Sequence, residues 1–81
     1  MNDELLKISG RLSQKEQELR QAELRIRGMV KSIRNCLDPF AEIEDLQADD
    51  AAQQALELAN AKIQWIEISG TMRALKKALG R

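Results

Sequence analysis

Residues 51–79 carry two apolar stripes at helical spacing, and the stripes lie on opposite sides of the same helix. At about 100° per residue, their centres are roughly 180–200° apart. The first stripe contains Leu58, Ala61, Trp65, Ile68, Met72, Leu75 and Leu79. The second contains Ala52, Leu56, Ala59, Ile63, Ile66 and Gly70. A helix with two apolar faces needs two partners, and this requirement limits the folds that are open to the chain.

The N-terminal part of the chain supplies one good partner. Ten positions between residues 5 and 36 alternate at spacings of three and four, and nine of them are apolar, Lys15 being the exception. This heptad pattern is typical of a helix with one buried face in a coiled-coil-like pair. It predicts helix 1 over about residues 3–36. The predicted intramolecular core comprises Leu5, Ile8, Leu12, Leu19, Ile26, Ile33, Leu58, Trp65, Ile68 and Met72.

A second helix is predicted after the Asp38-Pro39 pair. Proline disfavours helical geometry in the residue before it and is favourable at the first position of a new helix, with Asp38 as the N-cap. We therefore expect a turn at 37–39 and helix 2 over about 39–79, ended by Gly80. The apolar residues before 47–50 are out of phase with the apolar stripe after it. Whether the helix is kinked or broken there, or continuous, is left open.

Two helices joined by a short turn predict an all-α antiparallel hairpin that occupies residues 1–81 as a single domain. Charge supports this arrangement, because residues 19–37 carry five basic and one acidic side chain, and residues 38–58 carry seven acidic and no basic ones. If the chain folds back at Pro39, residue i of helix 1 faces residue j of helix 2, where i + j is roughly 76–78. The predicted pairs are Arg34–Glu42, Lys31–Asp45, Arg27–Asp49, Arg20–Glu57, Arg11–Glu67 and Glu4–Arg73. The alternative is that the same charges only complement the helix macrodipoles.

Size and composition favour self-association. Strong helix formers dominate the 81 residues, and strand formers are few, with one Val and no Tyr. Chains this short struggle to bury enough apolar area, and the single Cys36 cannot form an internal disulfide. We therefore expect a homodimer in which two copies of helix 2 pack centrally and complete a four-helix bundle. The predicted interface, for a second copy or for a foreign helix, comprises Leu56, Ala59, Ile63, Ile66 and Gly70.

Catalysis is not expected from this chain. It has no His and no Tyr, and Cys36 has no base near it in the sequence, so the usual pairs of nucleophile and base are missing. A thin hairpin also offers no water-excluding pocket for two carboxylates to act as acid and base. The sequence therefore predicts a protein that is not an enzyme and has no cofactor and no small-molecule substrate.

A metal site is also not expected, although Glu42, Asp45 and Asp49 would share one face of the predicted helix 2. Helical metal sites of the di-iron type use Glu-x-x-His pairs, and the chain has no His. Ion pairs with Lys31 and Arg34 are the preferred interpretation of these carboxylates.

Nucleic acid and membrane partners are the remaining classes. A basic strip on helix 1 could contact phosphates, but the net charge is zero, and we expect helix 2 to neutralise the strip within the hairpin. The strip contains Arg20, Arg27, Lys31 and Arg34. The basic amphipathic segment 72–79 is short and continues the core stripe, so no membrane association is predicted. With no export signal and a lone cysteine, the expected location is the cytoplasm.

The function predicted from the sequence is a small non-catalytic module for protein–protein interaction and assembly, such as an adaptor, small chaperone or accessory factor, which self-associates through helix 2. The alternative is a regulatory protein that associates with nucleic acid through the basic strip of helix 1.

Overall fold

The computed structural model describes residues 3–80 and contains two long helices that pack against each other. Helix α1 spans Asp3–Cys36, a short 3-10 helix spans Ile43–Asp45, and helix α2 spans Ala48–Ala78. The hairpin measures 65 × 15 × 14 Å, with a radius of gyration of 18.4 Å. The prediction of an all-α chain with two packed helices is confirmed; the described residues contain no strand.

The bounds of α1 agree with the heptad pattern. Its first turn carries Asp3 and Glu4, and its last turn carries Arg34, so the terminal charges complement the helix dipole. Along its length, the residues at heptad spacing from Ile8 to Cys36 are buried or half-buried, and most other positions are exposed. One face of α1 therefore forms the seam with α2.

Helix α2 begins nine residues later than predicted. Pro39 is followed by a turn, and Glu42 (φ −64°, ψ 147°) and Leu46 (φ −72°, ψ 122°) are extended on either side of the 3-10 helix. Helical geometry starts only at Ala48, with Gln47 at the N-cap position. The predicted helix 2 over 39–79 and the turn at 37–39 are therefore wrong at this end, because residues 37–47 form the connection.

Like charges at helical spacing oppose a helix that starts at Pro39. A continuous helix would place Asp38 and Glu42 four residues apart, Glu42 and Asp45 three apart, and Asp45 and Asp49 four apart. Like-charged pairs at these spacings destabilise a helix. Asp38 instead closes a local turn, in which its Oδ1 accepts the backbone N–H of Phe40 at 3.0 Å.

The longer connection changes the register of the hairpin. Leu12 packs with Met72 and Leu75, and the Trp65 indole Nε1–H donates to Glu23 Oε1 at 3.1 Å. Facing residues therefore have numbers that sum to about 88, and the predicted sum of 76–78 is wrong by about ten. The helix phase is unchanged by this shift, so the same apolar stripe of α2 still faces α1.

None of the six predicted ion pairs forms. Within residues 3–80, the ion pair that the structure contains joins Lys15 Nζ to Glu18 Oε2 at 2.9 Å, both on α1. Asp49 and Asp50 in the first turn of α2, with Lys76 and Lys77 in its last turn, match the helix macrodipole instead. The alternative explanation of the charge pattern thus fits the observed structure better than charge pairing across the hairpin.

The cluster of large buried side chains lies at the end of the hairpin that is opposite the turn. Leu12 is 2% exposed and forms a buried cluster with Met72 and Leu75. Ile8, Leu19 and Leu79 pack against this cluster and remain partly exposed. Gly80, with φ of +76°, ends α2 just beyond it, as predicted. One row of side chains from each helix makes up this core.

We expect Leu12→Ala to lower the free energy of unfolding by about 2–4 kcal/mol, since it removes a fully buried side chain from a core that has few others. Leu6→Ala is the matched control because Leu6 is 67% exposed, and its effect should stay below about 0.5 kcal/mol. Urea denaturation followed by circular dichroism measures both. Equal effects of the two substitutions would contradict the position of the core.

The observed register places Glu23 beside Trp65, so the fluorescence of Trp65 can test it. Glu23→Ala removes the acceptor of the indole hydrogen bond and should change the emission of this single tryptophan. Arg11→Ala is the control, because Arg11 would lie near Trp65 only if facing residues summed to 76–78. A spectrum that changes with Arg11→Ala and not with Glu23→Ala would contradict the observed register.

Candidate functional site

The outer face of α2 is an exposed apolar surface. All five residues of the predicted interface lie on it, and Leu56, Ile63 and Ile66 are 66%, 54% and 53% exposed. A Cβ atom at Gly70 would meet nothing within 4 Å, so the surface is also open at its C-terminal end. The face contains Ala52, Leu56, Ala59, Ile63, Ile66 and Gly70. These residues lie outside the seam with α1, and all of them are exposed.

The predicted intramolecular core lies mostly along the seam. Leu12 and Met72 are buried. The half-buried members are Ile8, Leu19, Ile26, Ile33, Leu58, Trp65 and Ile68. Leu5 is 50% exposed, so its prediction as a core residue is wrong. The reason is the shifted register, in which α2 ends opposite Ile8 and leaves the first turn of α1 without a partner.

Cys36 closes the seam at the turn. It is buried, its Sγ–H donates to Gln47 Oε1, and its sulfur accepts from Gln54 Nε2, each at 3.5 Å. Ala51 is buried at the same end of α2. The thiol therefore helps to join the connection to both helices, and its two hydrogen-bond partners are glutamine side chains.

The C-terminal part of α1 carries an open groove with a basic and apolar lining. Arg27, Lys31 and Arg34 line it together with Val30 and Leu37, which are 40% and 47% exposed. The remaining lining residues are Ile33, Asn35, Asp38 and Pro39. None of the three cations is paired with an acidic side chain in the part of the chain that the structure describes. The prediction that helix 2 neutralises this strip is therefore wrong.

The connection between the helices presents the most exposed large apolar side chains. Phe40 and Ile43 are 92% and 85% exposed, and acidic residues surround them in the sequence. We call residues 38–50 the acidic turn, because they include six carboxylates and no basic residue. Sequence reasoning missed this exposed segment, although the spacing of like charges was a signal that could have found it.

The carboxylates of the acidic turn do not share one helix face. Glu42 precedes the 3-10 helix, Asp45 ends it, and Asp49 lies in the first turn of α2. Over residues 3–80, the structure contains no group of three or more His, Cys, Asp or Glu side chains placed to hold a metal ion. Neither described helix has a stretch that is long and apolar enough to cross a membrane.

Comparison with known proteins adds no relationship to these features. No protein-family model, curated protein or solved structure matches the chain.

Proposed function

We propose that this protein is a non-catalytic assembly module, of the kind that serves as an adaptor, small chaperone or accessory factor, and that it self-associates through the outer face of α2. The observation that carries the proposal is the exposure of Leu56, Ile63 and Ile66 on one face. Isoleucine is not chosen for a solvated helix face on grounds of propensity. Burial of each of these side chains is worth about 1.5–3 kcal/mol.

The surface area of the hairpin supports self-association. A compact monomer of 9.2 kDa exposes about 4,900 Å² of surface. The hairpin exposes 6627 Å², an excess of about 1,700 Å² over that expectation. Obligate homodimers bury about 1,000 Å² or more from each protomer. Burial of one long face of α2 thus brings the exposed area per chain back toward that of a compact protein.

The apolar face is compatible with a twofold antiparallel contact. Its members are spaced 4, 3, 4, 3 and 4 residues apart, so the pattern reads the same in both directions. Antiparallel pairing about residue 61 sets Leu56 beside Ile66 of the partner subunit, and Ala59 beside Ile63 of the partner subunit. The small Ala52 then meets the partner's Gly70, where the two backbones can approach closely. The face spans about 27 Å along the helix.

Charge supports the same antiparallel direction. In that register Asp49 of one copy lies level with Arg73 of the partner subunit, at both ends of the contact. Parallel pairing would instead place the acidic first turns of the two α2 helices together. An antiparallel contact is also isologous, which is the commonest way in which two identical chains associate.

The placement of the two faces favours one arrangement of the four helices. Because the seam and the outer face lie on opposite sides of α2, the two α2 helices occupy the centre and each α1 packs on the outside. This gives a flattened four-helix bundle. A foreign amphipathic helix is the other occupant that fits the face, and a second copy is preferred because the pattern is complementary to itself.

The double substitution Ile63→Asp and Ile66→Asp should convert the dimer to a 9.2 kDa monomer. It places two charges in the centre of the proposed contact but leaves the hairpin folded, since both side chains are exposed in it. Sedimentation at about 1 M salt measures the mass while charge contacts are screened. The expected increase in the dissociation constant is at least about 100-fold, or 2.7 kcal/mol.

The matched control is Asn60→Asp with Gln64→Asp, which adds the same charge on exposed positions between the two stripes. It should leave the mass of the dimer unchanged. A wild-type protein that is monomeric and fully helical under these conditions would overturn the proposal, as would a dimer that persists in the Ile63→Asp, Ile66→Asp variant.

A further inference from the structure

Complementary charges lie on two neighbouring surfaces of the hairpin, which share only Asp38 and Pro39. The basic groove on α1 is lined by Arg27, Lys31 and Arg34, and none of them pairs with an acidic side chain within residues 3–80. The acidic turn follows directly in the sequence. Beyond Pro39 it leaves the groove, because the extended residues Glu42 and Leu46 lead the chain across to α2.

The apolar residues of the two surfaces are complementary as well. The groove adds Val30, Ile33 and Leu37 to its cations, so it offers apolar contact between positive charges. The acidic turn presents Phe40 and Ile43, which are almost fully exposed, between its carboxylates. Each surface thus has what the other lacks, and each chain carries one copy of both.

We propose that the acidic turn of one copy docks in the basic groove of a second copy, and the reverse, in a twofold head-to-head contact. When two hairpins overlap antiparallel at their turn ends, the groove cations of each copy lie against the acidic turn of the partner subunit. Charges that find no partner within the hairpin then meet opposite charges between two hairpins.

Nucleic acid is the competing partner for the groove, and the surroundings disfavour it. A duplex that follows the cations along α1 must pass the carboxylates of the acidic turn, which repel phosphates. The apolar lining also gives a phosphate backbone nothing to contact, and the lining contains no aromatic side chain on which a base could stack. An acidic segment with apolar side chains uses both parts of the groove.

This contact is separate from the outer face of α2, because every lining residue of the groove lies between Arg27 and Pro39. The two contacts also differ in their response to salt. Charge pairing is screened as the Debye length falls from about 30 Å at 0.01 M to about 3 Å at 1 M, whereas apolar burial is not. We expect the wild-type protein to form assemblies larger than a dimer at low salt and to return to the α2 dimer at high salt.

A charge-exchange experiment in the Ile63→Asp, Ile66→Asp background tests the contact with the α2 face disabled. The groove variant carries Arg27→Glu, Lys31→Glu and Arg34→Glu, and the turn variant carries Glu42→Lys, Glu44→Lys and Asp45→Lys. The parent should dimerise at about 0.01 M salt and be monomeric at about 1 M. Each charge variant alone should be monomeric at both concentrations, because like charges then face each other.

An equal mixture of the two charge variants should restore the dimer at low salt. In the mixture, the acidic groove meets the basic turn and the acidic turn meets the basic groove, so both contacts regain opposite charges. Analytical ultracentrifugation with one variant fluorescently labelled measures this heterodimer directly. The control carries Lys7→Glu, Arg11→Glu and Lys76→Glu, the same charge change at the other end of the hairpin, and should behave as the parent.

Three results would overturn the proposal: a parent that stays monomeric at low salt, a groove variant that still dimerises, or a mixture in which the dimer does not recover. A labelled 20-base-pair DNA duplex should not bind the parent. If it binds, and binding is lost in the groove variant while self-association is unchanged, the groove is assigned to nucleic acid. Failure of the α2 contact is detected separately, since that contact is measured at high salt in the chain with Ile63 and Ile66 intact.

Discussion

The seam between α1 and α2 is the interaction on which the rest of the structure depends. Each helix contributes one row of side chains at heptad spacing, and a contact between only two helices cannot enclose these rows completely. Leu12 is 2% exposed, while neighbours such as Ile8 and Leu19 remain partly open to solvent. The seam is enough to align the helices, but it leaves most of the surface of both helices exposed. Any further burial has to come from outside this hairpin.

The length of the connection determines how the seam is aligned. Like charges at helical spacing disfavour a helix through residues 38–47. With these residues outside α2, facing positions lie about ten residues further along the chain than a tight turn at Pro39 would place them. Leu12 consequently meets Leu75 rather than Trp65, and the first turn of α1 projects beyond the end of α2. The length of the connection therefore decides which apolar residues are buried and which charges lie apart.

The features that could be predicted from the sequence are those that depend on helical periodicity alone. The spacing of apolar residues identified the inner face of α1 and separated the inner stripe of α2 from its outer stripe, and both hold for any register. The start of α2 could not be found from Asp38 and Pro39, because the cap and the proline are local signals, and repulsion among Glu42, Asp45 and Asp49 opposes them. Because the predicted start of α2 was too early, the predicted register was wrong as well. The wrong register in turn placed Leu5 in the core, whereas it is exposed.

Opposite charges in a sequence predict pairing only where the backbone can bring them together. The basic residues of α1 and the acidic residues that follow are complementary in number and spacing, yet the connection holds them on different surfaces. Such charges can pair between two molecules without any change in the fold of either one. A domain swap works in a similar way, because contacts of one chain form with an identical element of another. The two contacts that we propose differ in their response to salt, because apolar burial is insensitive to ionic strength and charge pairing is not. With both contacts, the protein would be dimeric at high ionic strength and form larger assemblies only at low ionic strength, so the charges of the groove and the acidic turn would control the proposed assembly.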